Sequence, residues 1–170
     1  MYTTVTMGSE IITCQRRLVK KKSNLVFPSE LNFEWTSKVI SPTLHKPRLL
    51  YVGRIKVEKG IFSLIKIFDE ITLDVELSIV GKADNFQSLS KKIKYLGYVE
   101  NSEKLRKIYD DHNIFILPSF TEAHPQVVDE SLARLRPVIL FNEINHVIEN
   151  KEGIFVSKRN SESLSETIEF

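Results

Sequence analysis

Short apolar runs alternate with amphipathic stretches over most of the chain. RLLYVG (48–53) is a continuous apolar run closed by glycine, the pattern of a parallel strand buried on both faces. Ile61, Leu64, Ile65 and Phe68 then recur at helical spacing. The run from Val75 to Val80 predicts a second strand ending at Gly81, and Ile93 to Leu96 a short third. Leu105, Ile108 and Tyr109 mark a helix that Ser102 is placed to cap. Residues 113–117 (NIFIL) predict a fourth strand, the stretch from Pro125 a helix, Val138 to Phe141 a fifth strand, and Ile154 to Val156 a sixth. A last helix begins at Ser161 or Ser163. Strands alternating with helices, without hairpin signals, predict an α/β fold: an open parallel sheet with helices on both faces.

Composition narrows the class. The chain has 170 residues, the size of one ordinary domain, with 42% hydrophobic and 27% charged residues. Its formal net charge of +2 is too small to imply nucleic-acid binding. The single cysteine, Cys14, excludes an internal disulfide framework and fits a reducing compartment. No apolar run approaches the ~20 residues of a membrane span. MYTTVTMGSE has neither the basic start nor the apolar stretch of a signal peptide, so a cytoplasmic location is expected. Residues 1–47 are uneven and broken by Pro28, Pro42 and Pro47. The basic run Arg16–Lys22 is first a solvated face; the alternative is contact with anionic lipid at a membrane surface.

Open parallel sheets bind ligands at the carboxyl ends of their strands, so the informative loops follow residues 53, 81, 97, 117 and 141. GRIKVEKG (53–60) sets Arg54 and Lys59 ahead of a helix, with Gly53 permitting close backbone approach. It has neither the Walker A nor the G-x-G-x-x-G spacing, which argues against a dinucleotide-dependent oxidoreductase. Taken alone, its two cations are ordinary surface charges. PSFTEAHPQ (118–126) leads into a helix whose first turn suits Pro125. The amides of Gln126, Val127 and Val128 are then expected to be free, a site for an anion. Facing Arg54 and Lys59, that site would take a diphosphate. Glu122 would repel a phosphate, but an ionised carboxylate accepts hydrogen bonds from hydroxyls, and sugars carry them. Two cations, a helix N-terminus and the carboxylates Glu122 and Glu130 together suit a sugar linked to a nucleoside diphosphate.

The order VGR-x(4)-KG, LSIVGK, YLGYVEN, IFILPSFTE-x(7)-E and RPVI resembles the C-terminal, Rossmann-like domain of family 4 (group 1) glycosyltransferases, retaining enzymes of the GT-B architecture. The resemblance covers about residues 48–160. It implies that Gly53, Arg54 and Lys59, with the amides of Gln126 and Val127, hold the donor diphosphate. It implies that Glu122 contacts donor-sugar hydroxyls near the reacting carbon, that Glu130 takes the ribose hydroxyls, and that Tyr98 and Val99 meet the nucleobase. No metal or cofactor is implied beyond the nucleotide-sugar substrate, UDP- or GDP-linked.

Departures from the family pattern are local. Ala123-His124-Pro125 stands where the family has Gly-aromatic-Gly, Leu135 where it has glycine before the PVI strand, and ILFNEINHVIENKEG replaces a Gly-Gly loop. His124 and His146 are first polar surface residues. The resemblance further implies that residues 48–170 form the donor domain, truncated at its C-terminal helix, and that 1–47 trail from the acceptor domain and linker. The missing N-terminal acceptor domain is then a required partner. The expected function is hexose transfer from a nucleotide sugar to a glycan or lipid-linked acceptor. The alternative is a transferase half acting as a nucleotide-binding or scaffold subunit.

Overall fold

The computed structural model describes residues 31–43, 46–83, 86, 90–147 and 152–169. Cys14, the basic run 16–22 and the Phe27-Pro28 break lie outside the described residues. Six strands form one sheet: β1 (Arg48–Val52), β2 (Glu76–Val80), β3 (Ile93–Gly97), β4 (Ile114–Leu117), β5 (Val138–Phe141) and β6 (Ile154–Ser157). All neighbours pair parallel, in the order β3-β2-β1-β4-β5-β6. The order reverses between β1 and β4, which makes their carboxyl ends the expected ligand crevice.

Strand alternation divides the core into two layers. Leu49, Tyr51, Leu77, Ile79, Ile116, Ile139 and Phe141 point to one face. There they meet Ile61, Leu64, Ile67 and Phe68 of α1 (Ile61–Glu70) and Leu164 of α4 (Ser161–Glu169). Leu50, Val80, Phe115, Leu117, Val138 and Leu140 point the other way. They meet Tyr109 of α2 (Ser102–Asp110), Val128 and Leu132 of α3 (Gln126–Ala133), and Trp35 from the segment ahead of β1. Continuous apolar strands are therefore the sequence signature of burial on both faces.

Two helix starts differ from the sequence expectation. Asn101, not Ser102, caps α2: its side-chain oxygen accepts from the Lys104 amide at 2.8 Å, and Ser102 is already helical. Asparagine is as good a cap as serine, so composition alone cannot choose between adjacent residues. Pro125 precedes α3 as its N-cap, with φ −80° and ψ 97°, rather than occupying its first turn. Its carbonyl accepts from the Val128 amide at 2.9 Å, so Val128 is not a free donor as expected.

The segment 31–43 is fixed to the domain by two buried arginines. Arg134 donates to the carbonyls of Trp35, Ser37 and Lys38, and Arg136 to that of Ile40. Between them Leu135 adopts φ 59°. A Cβ in this left-handed region costs about 1–2 kcal/mol. Leu135 is only half-buried. Leu135→Gly is therefore expected to raise stability by up to about 1 kcal/mol, relieved strain outweighing the glycine entropy cost. Urea denaturation measures it, and a destabilised variant contradicts the strain argument.

Candidate functional site

The loops leaving β1 and β4 are joined by the chain itself. The Phe120 amide donates to the Glu58 carbonyl at 3.1 Å. Gly60, at φ 66°, lies so close to the second loop that a Cβ there would stand 1.8 Å from the Pro118 carbonyl oxygen. This contact brings Lys59 to Glu122, with Nζ 2.7 Å from Oε1. Ser119 donates its hydroxyl to the same carboxylate oxygen at 2.6 Å. Both members of the pair are largely shielded, with side chains 21% and 11% exposed. A tethered cation, a hydroxyl and a carboxylate thus share the crevice between β1 and β4.

Arg159, from the turn between β6 and α4, braces that loop from below. Its guanidinium donates to the carbonyls of Pro118 and Ser119 and to the Ser63 hydroxyl, and pairs with Glu143 at 2.8 Å. It also lies 4.1 Å from the Phe120 ring centroid and 4.3 Å from that of Phe141. The Arg159 guanidinium holds the Glu143 carboxyl below the usual carboxylate range. Sequence reading missed Arg159, because its partners, two carbonyls, a hydroxyl and a carboxylate, lie between 16 and 96 residues away along the chain.

A concavity opens at the carboxyl ends of β1 and β2. It encloses about 530 Å³ and is lined by Gly53, Arg54, Lys56, Lys82, Tyr98 and Val99 among others. Four of the residues expected at the diphosphate and nucleobase, Gly53, Arg54, Tyr98 and Val99, therefore share one hollow. Arg54, Lys56 and Lys82 are all exposed there. Lys82, whose ammonium sits 4.5 Å over the Tyr98 ring, was not anticipated; its place just after β2 was the available signal. A Cβ at Gly53 would lie 2.7 Å from the Tyr51 hydroxyl, so a larger residue there would displace the Tyr51 ring. That hydroxyl donates to the Arg54 carbonyl at 2.8 Å. Burial raises the Tyr51 phenol above its ordinary range; Glu122 adds to the rise and Arg54 opposes it.

Glu130 occupies different surroundings. It is 9% exposed and accepts from the buried Tyr109 hydroxyl at 3.0 Å. Burial pushes its carboxyl up to about 7, against the Tyr109 bond, which lowers it, while Asp129 adds to the rise. The folded state thus keeps a proton that the unfolded chain releases in mild acid. This group's share of stability is complete below the ordinary carboxylate pKa and is lost as pH rises through about 7. Gln126 and Val127 open α3, and the Val127 carbonyl lies 3.5 Å from the Tyr109 hydroxyl. His124 pairs with Asp129 at 2.9 Å on the exposed side of the same turn, the surface role expected of it. His146 has no described side chain.

Among the described residues no group of three or more His, Cys, Asp and Glu could hold a metal ion. No described helix is long and apolar enough to cross a membrane.

Comparison with known proteins follows the same lines. An uncharacterized glycosyltransferase of Haemophilus influenzae is 28% identical over 130 residues, which is 69% of this chain and 37% of that protein. The capsular polysaccharide biosynthesis glycosyltransferase CapM of Staphylococcus aureus is 29% identical over 133 residues, 70% of this chain and 35% of that protein. This chain therefore spans little more than a third of these relatives. Among solved structures, that of Anabaena HepE in complex with UDP-glucose superposes with a TM-score of 0.60 at 17% identity, over 74% of this chain and 38% of that one. The likeness extends to the open six-stranded parallel sheet, the half-molecule unit of GT-B glycosyltransferases. The model of the glycosyl transferases group 1 family matches residues 46–170, the span that carries the whole sheet and both loops of the crevice. The chain belongs to the group 1 glycosyl transferases.

Proposed function

We propose that this chain is the donor-binding part of a retaining glycosyltransferase that moves a hexose from a nucleoside-diphosphate sugar to a glycan or lipid-linked acceptor. The observation that carries the reading is the meeting of Lys59 and Glu122 across the β1–β4 crevice, beside a hollow rimmed by Arg54. An ammonium has three donors, so Lys59 can keep Glu122 and still face a phosphate. A unit charge pair 4 Å apart gives about 4 kcal/mol at an effective dielectric near 20. Arg54 and Lys59 then supply most of the diphosphate affinity, and the Gln126 and Val127 amides orient it. Glu122 accepts from sugar hydroxyls and stabilises the positive charge that develops at the sugar carbon as the diphosphate leaves. Glu130 takes ribose hydroxyls, and Tyr98 and Val99 the base.

The polysaccharide role of CapM and the UDP-glucose bound by HepE point the same way. In this reading residues 48–170 are the donor domain and 1–47 belong to the linker and acceptor domain. That second domain completes the reacting cleft, where closure orients reactants and excludes water. The cationic side chains do the work at the phosphates, without metal or cofactor. The location is cytoplasmic, with a lipid-linked acceptor at the inner membrane face.

Titration calorimetry with UDP, GDP and UDP-glucose tests the reading. At least one is expected to bind, and Arg54→Ala to weaken it roughly tenfold, the screened value of an exposed cation. The scaffold reading has its own support, since Pro125 and the engaged Val128 amide leave fewer donors at α3. No heat with any of the three ligands would favour the scaffold.

A further inference from the structure

The family pattern places Glu130 in the site but says nothing of what holds it. Its helix, α3, packs against α2, and the contact is chemical as well as apolar. Tyr109 of α2 is fully buried, and its hydroxyl donates to Oε2 of Glu130 at 3.0 Å. The Val127 carbonyl is the weaker alternative acceptor at 3.5 Å. One carboxylate oxygen, Oε2, is thereby engaged by a partner inside the fold. The Tyr109 ring is itself fixed on both sides. Phe115 of β4 stacks on it with centroids 5.7 Å apart, and Trp35 meets it edge-on at 5.5 Å and 81°. Trp35 belongs to the segment ahead of β1, which Arg134 grips at the Trp35 carbonyl. A continuous chain of contact therefore runs from that segment through Trp35 and Tyr109 to Glu130.

We propose that Tyr109 is a positioning residue of the nucleotide site. Its hydroxyl fixes one oxygen of Glu130 so that the other meets the vicinal hydroxyls of a ribose, and Trp35 holds the Tyr109 ring in place. The proposal rests on the donor-binding reading above for its ligand, a nucleoside diphosphate. Two physical effects act together. A carboxylate anchored at one oxygen loses less rotamer freedom on binding than a free one. A buried donor also favours the ionised form, the form that accepts from hydroxyls. The charged or titratable groups that face Glu130 are Tyr109 from α2 and Asp129 from its own helix. Of these only Tyr109 assists ionisation.

Tyr109→Phe isolates the hydroxyl, because both ring contacts survive. The first measurement needs no ligand: a carbon-13 NMR titration of labelled glutamate, with the Glu130 resonance assigned from Glu130→Gln. The wild-type midpoint is expected near 7, and Tyr109→Phe is expected to move it upward. The Trp35→Leu variant is expected to shift it the same way by less, and Trp35→Phe to restore most of the difference. An unchanged midpoint in Tyr109→Phe overturns the proposal. The second measurement is the Kd of UDP and GDP against their 2′,3′-dideoxy counterparts. Tyr109→Phe is expected to weaken the ribonucleotide roughly tenfold and the dideoxy form hardly at all. Equal weakening of both means a general loss of structure and also overturns it. If no nucleotide binds the wild-type chain, the donor reading falls. The NMR titration still decides whether Tyr109 orients and ionises Glu130.

Discussion

Gly60→Ala is expected to destabilise the domain by about 3 kcal/mol or more, from two independent causes. The first is conformational. Gly60 stands at φ 66°, where a Cβ costs about 1–2 kcal/mol. The second is steric. The new Cβ would lie 1.8 Å from the Pro118 carbonyl oxygen and 2.7 Å from its carbon. Both atoms are backbone, and the oxygen is held by Arg159 at 2.8 Å, so it cannot swing aside like a side-chain end. Overpacking of this kind adds about 1–3 kcal/mol. Domains of this size are stable by only about 5–15 kcal/mol, so the loss is a large share. Gly97→Ala is the control, since Gly97 has φ 77° but nothing within 4 Å of an added Cβ. It should show the conformational cost alone. Guanidinium denaturation of the two variants decides the matter: equal losses would refute the steric half. The pushed-apart loops would also part Lys59 from Glu122, which joins this stability effect to the site.

The second large effect is expected for Asp110→Ala, at about 3–5 kcal/mol. Arg134 and Arg136 have side chains only 3% and 1% exposed, and Asp110 is the anion paired with both. The Arg134 Nε donates to its carboxylate at 2.9 Å, and an Arg136 nitrogen lies 3.7 Å away. Burial depresses the Arg136 guanidinium, opposed by Asp110. A guanidinium does not deprotonate in proteins, so it cannot escape by losing its charge as a lysine would. Removing the carboxylate leaves two buried cations side by side, which is worse than never having buried the pair. Asp111 is exposed, and Asp111→Ala should be nearly neutral. Denaturant midpoints at pH 7 measure both, and a loss under about 1 kcal/mol for Asp110→Ala would sink the argument.

The contrast between Asp110 and Asp111 shows where sequence reading stops. The two are alike in sequence, and only the packing of α2 against the turn after α3 separates them. The strands β1, β2, β4 and β5 were legible because burial on both faces leaves continuous apolar runs. Leu135 stands where the family has glycine, and its φ of 59° is a backbone that glycine adopts without cost. Lys59 and Glu122 were legible as occupants of loops at strand ends, which topology brings together. The Tyr109–Glu130 bond was not: it spans twenty-one residues and depends on how two helices settle against the same sheet. Nor was Arg159, whose acceptors on three separate segments include two main-chain carbonyls.

Carbonyl acceptors have a further consequence in the segment ahead of β1. Arg134 and Arg136 grip the main chain at residues 35, 37, 38 and 40, and main-chain oxygens are the same whatever side chain follows. The attachment is thus asymmetric in its tolerance to substitution. The two arginines and Asp110 admit few replacements, whereas Ser37 and Ile40 can change freely without loosening it. Lys38 is the exception for a different reason, its φ of 48° favouring residues that accept a left-handed backbone. Related chains could therefore keep this joint while the sequence it holds drifts beyond recognition.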